Sequence, residues 1–256
     1  MRTCYAFITL LLVLPFLTGC SSPAPTTEKA ESNAISSAVA SAERVVLTAR
    51  YREDLERAYF DLKALRNPDE RNFSVEVTYS KVCFYYGLEI GEGADKDRIW
   101  QSGHDAGRIA SRLEPGRPDG YFWSAANLNA LSKKNPLTVG IKSTQELRDL
   151  ANRSVEIDPG FENGGALDIL GQIELFTGLV GGTPEKAIGY LEQAVRYDTR
   201  DGSVRLTLAE AYLLSKRDTD ARRVLREVIE MTPDPNFRNE HAKTVAKAKR
   251  ILERRL

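Results

Sequence analysis

The chain has 256 residues, with 36 basic and 36 acidic side chains and a formal net charge of zero. That balance removes any bulk electrostatic reason to expect nucleic acid or an acidic polymer as a partner. Three cysteines and two histidines leave little for a disulfide framework or a histidine-rich metal site.

In chain order, residues 1–19 read as an export signal. Arg2 supplies a positive start, and Ile8 through Leu14 with Phe16 and Leu17 form an apolar run too short to span a bilayer in the mature protein. The run ends in Leu17-Thr18-Gly19-Cys20, which resembles the bacterial lipobox, where small residues precede a cysteine that is acylated and becomes the new N-terminus. The resemblance implies lipidation of Cys20 with palmitate-type chains. Two or more such chains give durable attachment to a bilayer. It also implies a periplasmic protein, and Ser21 favours the outer membrane. Residues 20–32, rich in Ser, Pro, Thr and Ala, read as a lipidated tether, with the folded domain at 33–256. Cys4 leaves with the signal and Cys20 takes the lipid, so Cys83 is the remaining thiol and no intramolecular disulfide is expected.

From Ile35 to Leu65, apolar residues recur at steps of three and four (Ile35, Val39, Ala42, Val46, Ala49, then Leu55, Ala58, Tyr59, Leu62). The pattern predicts one long N-terminal helix with a break near Tyr51, ended by Asn67-Pro68. Asn72 or Ser74 can cap a second helix that runs to about Ile90 and stops at Gly91 and Gly93. A third spans about Asp95 to Leu113, and Glu114-Pro115-Gly116 turns the chain. No alternating apolar segment competes with helix in the mature chain.

The second half repeats itself. Ala187, Leu191, Ala194 and Thr199 recur as Ala221, Leu225, Val228 and Pro233, each 34 residues on, as 221 − 187 and 233 − 199 show. That is the tetratricopeptide period, in which small residues let paired helices approach while large ones fill the groove between them. Leu170-Gly171 and Leu208-Ala209 with Tyr212 stand where the motif has Leu-Gly and an aromatic. Earlier copies are looser, and turns at Pro115 and Pro159 imply an insertion around Leu131 to Thr144. A last helix from about Asn239 to Leu256 caps the array; its Lys243, Lys247, Lys249, Arg250, Arg254 and Arg255 suit a solvated face, or anionic lipid or an acidic partner. The fold class is therefore all-α: degenerate tetratricopeptide hairpins in a superhelix, with an extra N-terminal helix and a C-terminal capping helix.

Two stretches, Gly120-Tyr121-Phe122-Trp123-Ser124-Ala125-Ala126-Asn127-Leu128-Asn129-Ala130 and Gly178-Leu179-Val180-Gly181-Gly182-Thr183-Pro184-Glu185-Lys186-Ala187, are more specific. With Ile157-Asp158-Pro159-Gly160-Phe161 and Gly164-Gly165-Ala166, they resemble the T-component family of TRAP transporters, lipoproteins built from degenerate tetratricopeptide repeats. The resemblance covers roughly Phe73 to Leu256. It implies an accessory protein that docks a periplasmic solute-binding protein, or another envelope protein, and holds a small apolar ligand in a pore or cleft.

Tyr121, Phe122, Trp123, Phe161 and Phe176 are the candidates for the wall of such a cavity, or else plain core between repeats. Gly181 and Gly182 form either a widened loop before the Thr183-Pro184 helix start or a flexible rim beside an opening. Catalysis finds little support. His104 could be joined with one of many serines, yet no Gly-x-Ser-x-Gly elbow occurs, and Gly87, Gly91 and Gly93 lack the remainder of a phosphate loop. No cofactor and no metal are expected. A competing function is a lipoprotein scaffold for envelope assembly or secretion that grips an extended peptide. A large closed apolar cavity would favour the transporter accessory, and an open polar groove the scaffold.

Overall fold

The structure, a computed structural model, describes residues 27–48, 51–176, 182–200 and 202–255. The leader, Cys20, the first part of the tether and Gly181 lie outside the described residues. Eleven α-helices and no strand occur among the described residues. They form hairpins: α1 (Thr27–Thr48) with α2 (Arg52–Leu65), α3 (Phe73–Glu89) with α4 (Ala94–Leu113), and α5 (Pro118–Lys134) with α6 (Ile141–Ile157). Then come α7 (Phe161–Phe176) with α8 (Pro184–Ala194), α9 (Ser203–Leu214) with α10 (Asp218–Glu230), and a terminal α11 (Arg238–Arg255).

The N-terminal segment breaks at Tyr51, where the pattern predicts a break: Tyr51 is extended (φ −72°, ψ 142°), and α2 then turns back to pack on α1 instead of continuing its line. Burial of Ala42 and Val46 against Leu55, Tyr59 and Leu62 drives this, and one straight helix would have left both apolar stripes bare. Helix α1 also starts at Thr27, inside the stretch read as tether. Glu28-Lys29-Ala30-Glu31 are strong helix formers, so composition alone placed the boundary too late.

Local signals set the other starts. The Asn72 side chain accepts from the Val75 amide at 3.1 Å, and Thr183 Oγ1 from the Lys186 amide at 3.2 Å. Pro118 and Pro184 open α5 and α8. The expected insertion is a five-residue π turn, Pro136–Gly140, in which the Val139 and Gly140 amides both donate to the Asn135 carbonyl (2.9 and 3.0 Å). Helix α7 begins with three left-handed residues: Glu162 (φ 47°), Asn163 (φ 58°) and Gly164 (φ 75°). Contacts from elsewhere hold them. Glu162 is ion-paired with Arg200 and, at 3.4 Å, with Lys81, and the Asn163 carboxamide bonds Thr199 Oγ1 at 3.1 Å.

Successive odd-numbered helices also touch one another, from α1 to α11, so they form an inner layer with the even-numbered helices outside. One apolar core runs from α1 to α7 and a second from α7 to α11. The second is closed by α11 through buried Ala248 with Val245, Ile251 and Leu252. Its six basic residues named above are exposed.

Candidate functional site

The inner layer leaves an open groove of about 460 Å³ across α3, α5 and α7. Its wall is three stripes: Phe84 and Leu88 on α3; Ala126, Asn129, Ala130 and Lys133 on α5; Gly165, Asp168, Ile169 and Gln172 on α7. The spacing i, i+3, i+4, i+7 on α5 and α7, and i, i+4 on α3, puts each stripe on one helical face. Phe84, Leu88, Trp100, Phe122 and Ile169 make this surface mainly apolar, with Asn129, Lys133, Asp168 and Gln172 among its polar members.

Among these polar members the carboxamides and one carboxylate form a chain. Asn129 Nδ2 donates to Gln172 Oε1 at 2.9 Å, and Gln172 Nε2 donates to Asp168 Oδ2 at 2.6 Å. The second oxygen, Asp168 Oδ1, is buried and has no hydrogen-bond partner. Burial pushes the Asp168 carboxyl up to about 6, against the opposing charge of Lys133. Lys133 is exposed along the groove but flanked by its walls, and this partial desolvation lowers its ammonium pKa despite Asp168 and Glu210. Unlike its neighbours it has no ion pair among the described residues. Lys134 is held by Asp97 at 2.6 Å, Lys247 by Glu210 at 2.8 Å, and Lys81 by Glu43 at 3.0 Å.

The aromatic candidates do not surround one cavity. Phe122 reaches the groove and meets Trp123 and Phe161 edge-on, at centroid distances of 4.9 and 5.6 Å. Trp123 is buried against Phe84 and Tyr85, both at 5.8 Å. Tyr121 is half-buried in a separate dent with Lys142, Gln145 and Glu146. Phe176 lines another small space, about 50 Å³, with Gly140, Thr144 and Leu147. Gly182 is buried just ahead of the Thr183 cap.

A serine and a histidine do come together. Ser124 Oγ lies 2.8 Å from His104 Nδ1, and Glu146 Oε1 lies 3.5 Å from His104 Nε2. The hydroxyl also donates to the His104 carbonyl (3.1 Å), Ser124 is fully buried, and its backbone lies so close to Gly107 that a Cβ there would meet the Ser124 nitrogen at 2.6 Å. Ser124 and His104 are buried and fasten α4 to α5, while Glu146 of α6 stands at the surface beside them. Burial also raises the Cys83 thiol pKa far above its ordinary value, which keeps it an inert core residue. Among the described residues no cluster of three potential metal ligands occurs, and no helix is long and apolar enough to cross a membrane.

Residues 181–244 match the family model described as tetratricopeptide repeat. The architecture is similar to the crystal structure of a thermophilic TPR protein in Thermus thermophilus, at 16% identity and a TM-score of 0.55, covering 84% of this chain and 99% of that one. The fold is a tetratricopeptide-repeat superhelix. Two MamA structures, one of them from MSR-1, are similar at 11% and 12% identity and a TM-score of 0.48, covering 89% and 88% of this chain and 99% and 97% of theirs. No curated protein matches the sequence. The matched repeat holds the small and large residues that recur at 34, and all of Ala187, Leu191, Ala194, Ala221, Leu225 and Val228 are buried. A tetratricopeptide fold is a scaffold for protein–protein interaction, and here the inner surface of α3, α5 and α7 supplies its groove.

Asn129, Lys133, Asp168 and Gln172 escaped the sequence reading. A signal existed, because Ala126, Asn129, Ala130, Lys133 and Gly165, Asp168, Ile169, Gln172 share one spacing on successive inner helices. It is visible only once inner and outer helices are told apart.

Proposed function

We propose that this chain is a binding scaffold, held at the periplasmic side of a membrane by lipid on Cys20, that grips an extended segment of a partner protein along the groove across α3, α5 and α7. The observation that carries the reading is the groove itself: an open, mainly apolar channel of about 460 Å³ across three inner helices. Helical solenoids use such concave surfaces for extended ligands. The small space beside Phe176, about 50 Å³, is well below the roughly 150 Å³ that admits a ligand as small as benzene. Binding, not turnover, is the work this surface suits.

The T-component resemblance supplies the second reading, in which the partner is a periplasmic solute-binding protein. The Gly120–Ala130 stretch that carries much of that resemblance lies in α5, the middle wall of the groove. Both readings therefore use the same surface and differ in who occupies it.

The test is a photo-crosslinking amino acid placed at Leu88 in the groove or at Phe60 on outer helix α2, both about half exposed, in the full chain in its own cells. Adducts from position 88 alone support the groove. Equal adducts from both positions, or none, overturn it. A solute-binding protein among the adducts supports the transporter accessory, whereas envelope-assembly proteins alone defeat it. Metabolic labelling with a palmitate analogue tests the anchor: signal should vanish in Cys20→Ala.

A further inference from the structure

We propose that the edge of the array formed by its hairpin tips, where odd-numbered helices end and even-numbered ones begin, docks a partner protein through a long apolar strip. This is a second surface beside the groove, and the choice of occupant rests on the lipid anchor at Cys20 proposed above.

Large apolar side chains stand exposed at all five tips. Tyr51 lies between α1 and α2, Leu88 near the end of α3, and Leu137 in the π turn with Ile141 at the start of α6. Phe176 ends α7 and Leu214 ends α9. Leu137 and Tyr51 are 80% and 68% exposed. The opposite edge is built differently. Its turns are Asp69-Glu70, Glu114-Pro115-Gly116-Arg117 and Asp158-Pro159, and Leu113 and Tyr197, which stand there, are less exposed than any of the six. Successive odd-numbered helices pack on one another, about 8–10 Å apart, so the row of tips runs for roughly 32–40 Å. Apolar surface of that extent marks contact with a protein or a membrane.

Charge and reach choose the protein. Acids on this edge are paired within the chain: Asp54 with Arg57 at 3.1 Å, Asp97 with Lys134 at 2.6 Å, Asp220 with Arg217 at 2.8 Å, and Asp95 with Arg98. Exposed Glu53, Glu185 and Asp218 are interspersed with Lys142, Lys186 and Lys216, so no basic field draws the edge to anionic headgroups. The anchor adds a distance. Helix α1 starts at the opposite edge, and its 22 residues rise about 33 Å towards the tips. Residues 20–26, which join Cys20 to Thr27, reach at most about 25 Å when fully extended. With acyl chains on Cys20 in a bilayer, the tips are therefore held clear of that bilayer. A second copy anchored beside the first points its tips the same way, so two copies cannot meet tip to tip. A separate protein with an uncharged apolar strip is the occupant that fits.

The experiment places a photo-crosslinking amino acid at Tyr51, Leu137 or Leu214 in the full chain in its own cells, with Asp69, Pro115 and Asp158 on the opposite edge as controls. Leu88 is left out because it also lines the groove. Mass spectrometry of the digested adducts identifies the crosslinked peptides. One and the same protein should be attached at all three tips, through peptides that form an apolar strip, with the controls silent. Leu137→Glu should then lower the adducts at Tyr51 and Leu214 by about tenfold, because a charge pressed into the middle of an apolar contact weakens the whole of it. Position 137 is largely exposed, so thermal melts of this variant should match those of the native chain.

Adducts to phospholipid or to a second copy of this chain overturn the proposal in favour of those occupants. So do different proteins at the three tips, no adduct at any tip, equal yields from the controls, or undiminished adducts in Leu137→Glu. The anchor is read separately by palmitate labelling. If Cys20 carries no label while the three tips still share one protein, the placement relative to the bilayer fails and the docking edge stands.

Discussion

Helices on both sides of α7 approach closely at glycines, Gly107 and Gly171 among them, but the N-terminal side adds stacked rings and buried charges to those size contacts. A Cβ at Gly171 would lie 2.6 Å from Leu191 Cγ, so α7 and α8 approach only because position 171 has no side chain. Ala187, Ala194, Ala209 and Ala221 do similar work between the other pairs. In the N-terminal half, the Tyr59 ring sits 5.3 Å from Tyr79 and 5.5 Å from Tyr86. Fully buried Glu76 binds Arg66 and Arg71, both at 2.8 Å. Asn127 Nδ2 donates to the Ser80 carbonyl at 2.9 Å and to that of Trp123 at 2.8 Å, tying α5 to α3. A size code repeats with the hairpin, whereas a polar tie joins two particular positions and has no period. One array can therefore be regular in one half and irregular in the other without changing its geometry.

The sharpest way to break that contrast is to remove one tie from each half. Glu76→Ala leaves two arginines facing a buried site and should cost about 3–5 kcal/mol in denaturant unfolding. Leu191→Ala opens a cavity in the size-coded half and should cost about 2–5 kcal/mol. A cost below about 1 kcal/mol for Glu76→Ala, the level of an exposed pair, would mean that the charges are ornamental and the halves alike. Gly171→Ala should cost about 1–3 kcal/mol through overpacking. Combined with Leu191→Ala, its cost should nearly vanish, since the two atoms share one space; simple additivity would refute the size code.

Asp168 makes a smaller and opposite contribution. Its carboxyl titrates at about 6 in the fold and at about 3.9 when unfolded. The folded state thus holds the proton more tightly, and stability falls as pH rises through that window. Lys133 and Asp198 are the other charges acting on it, in opposite directions. Asp168→Asn should raise stability at about pH 7.5 by about 1 kcal/mol and change little at about pH 4, measured by thermal melts at both values. The smallest effect is on Cys83: this buried thiol should resist maleimide in the native chain and react on unfolding of the first core, reporting whether the halves unfold together.

The all-α array and its last two hairpins were legible because Ala187, Leu191 and their partners 34 residues on announce the period by size alone. The break near Tyr51 was legible, but the α1–α2 hairpin was not, because periodicity shows which residues share a face and not whether the chain doubles back after a break. The aromatic run at 121–123 pointed to the helix that forms the middle of the groove, and its alternative reading as core fits the buried Trp123. Successive residues on a helix diverge by about 100°, so only Phe122 of the three reaches the groove. The polar groove residues Lys133 and Asp168 look like ordinary surface charges in the sequence, because only tertiary placement separates an inner stripe from an outer one.

The stripes on α3, α5 and α7 also set a minimum length for whatever lies across them. Neighbouring packed helices stand about 8–10 Å apart, so the path from the first stripe to the third is roughly 16–20 Å. An extended chain advances about 3.3 Å per residue, so a segment of about five or six residues bridges all three helices. A single residue spans barely a third of the gap between neighbours. Truncated ligands should thus lose affinity in steps, one helix at a time.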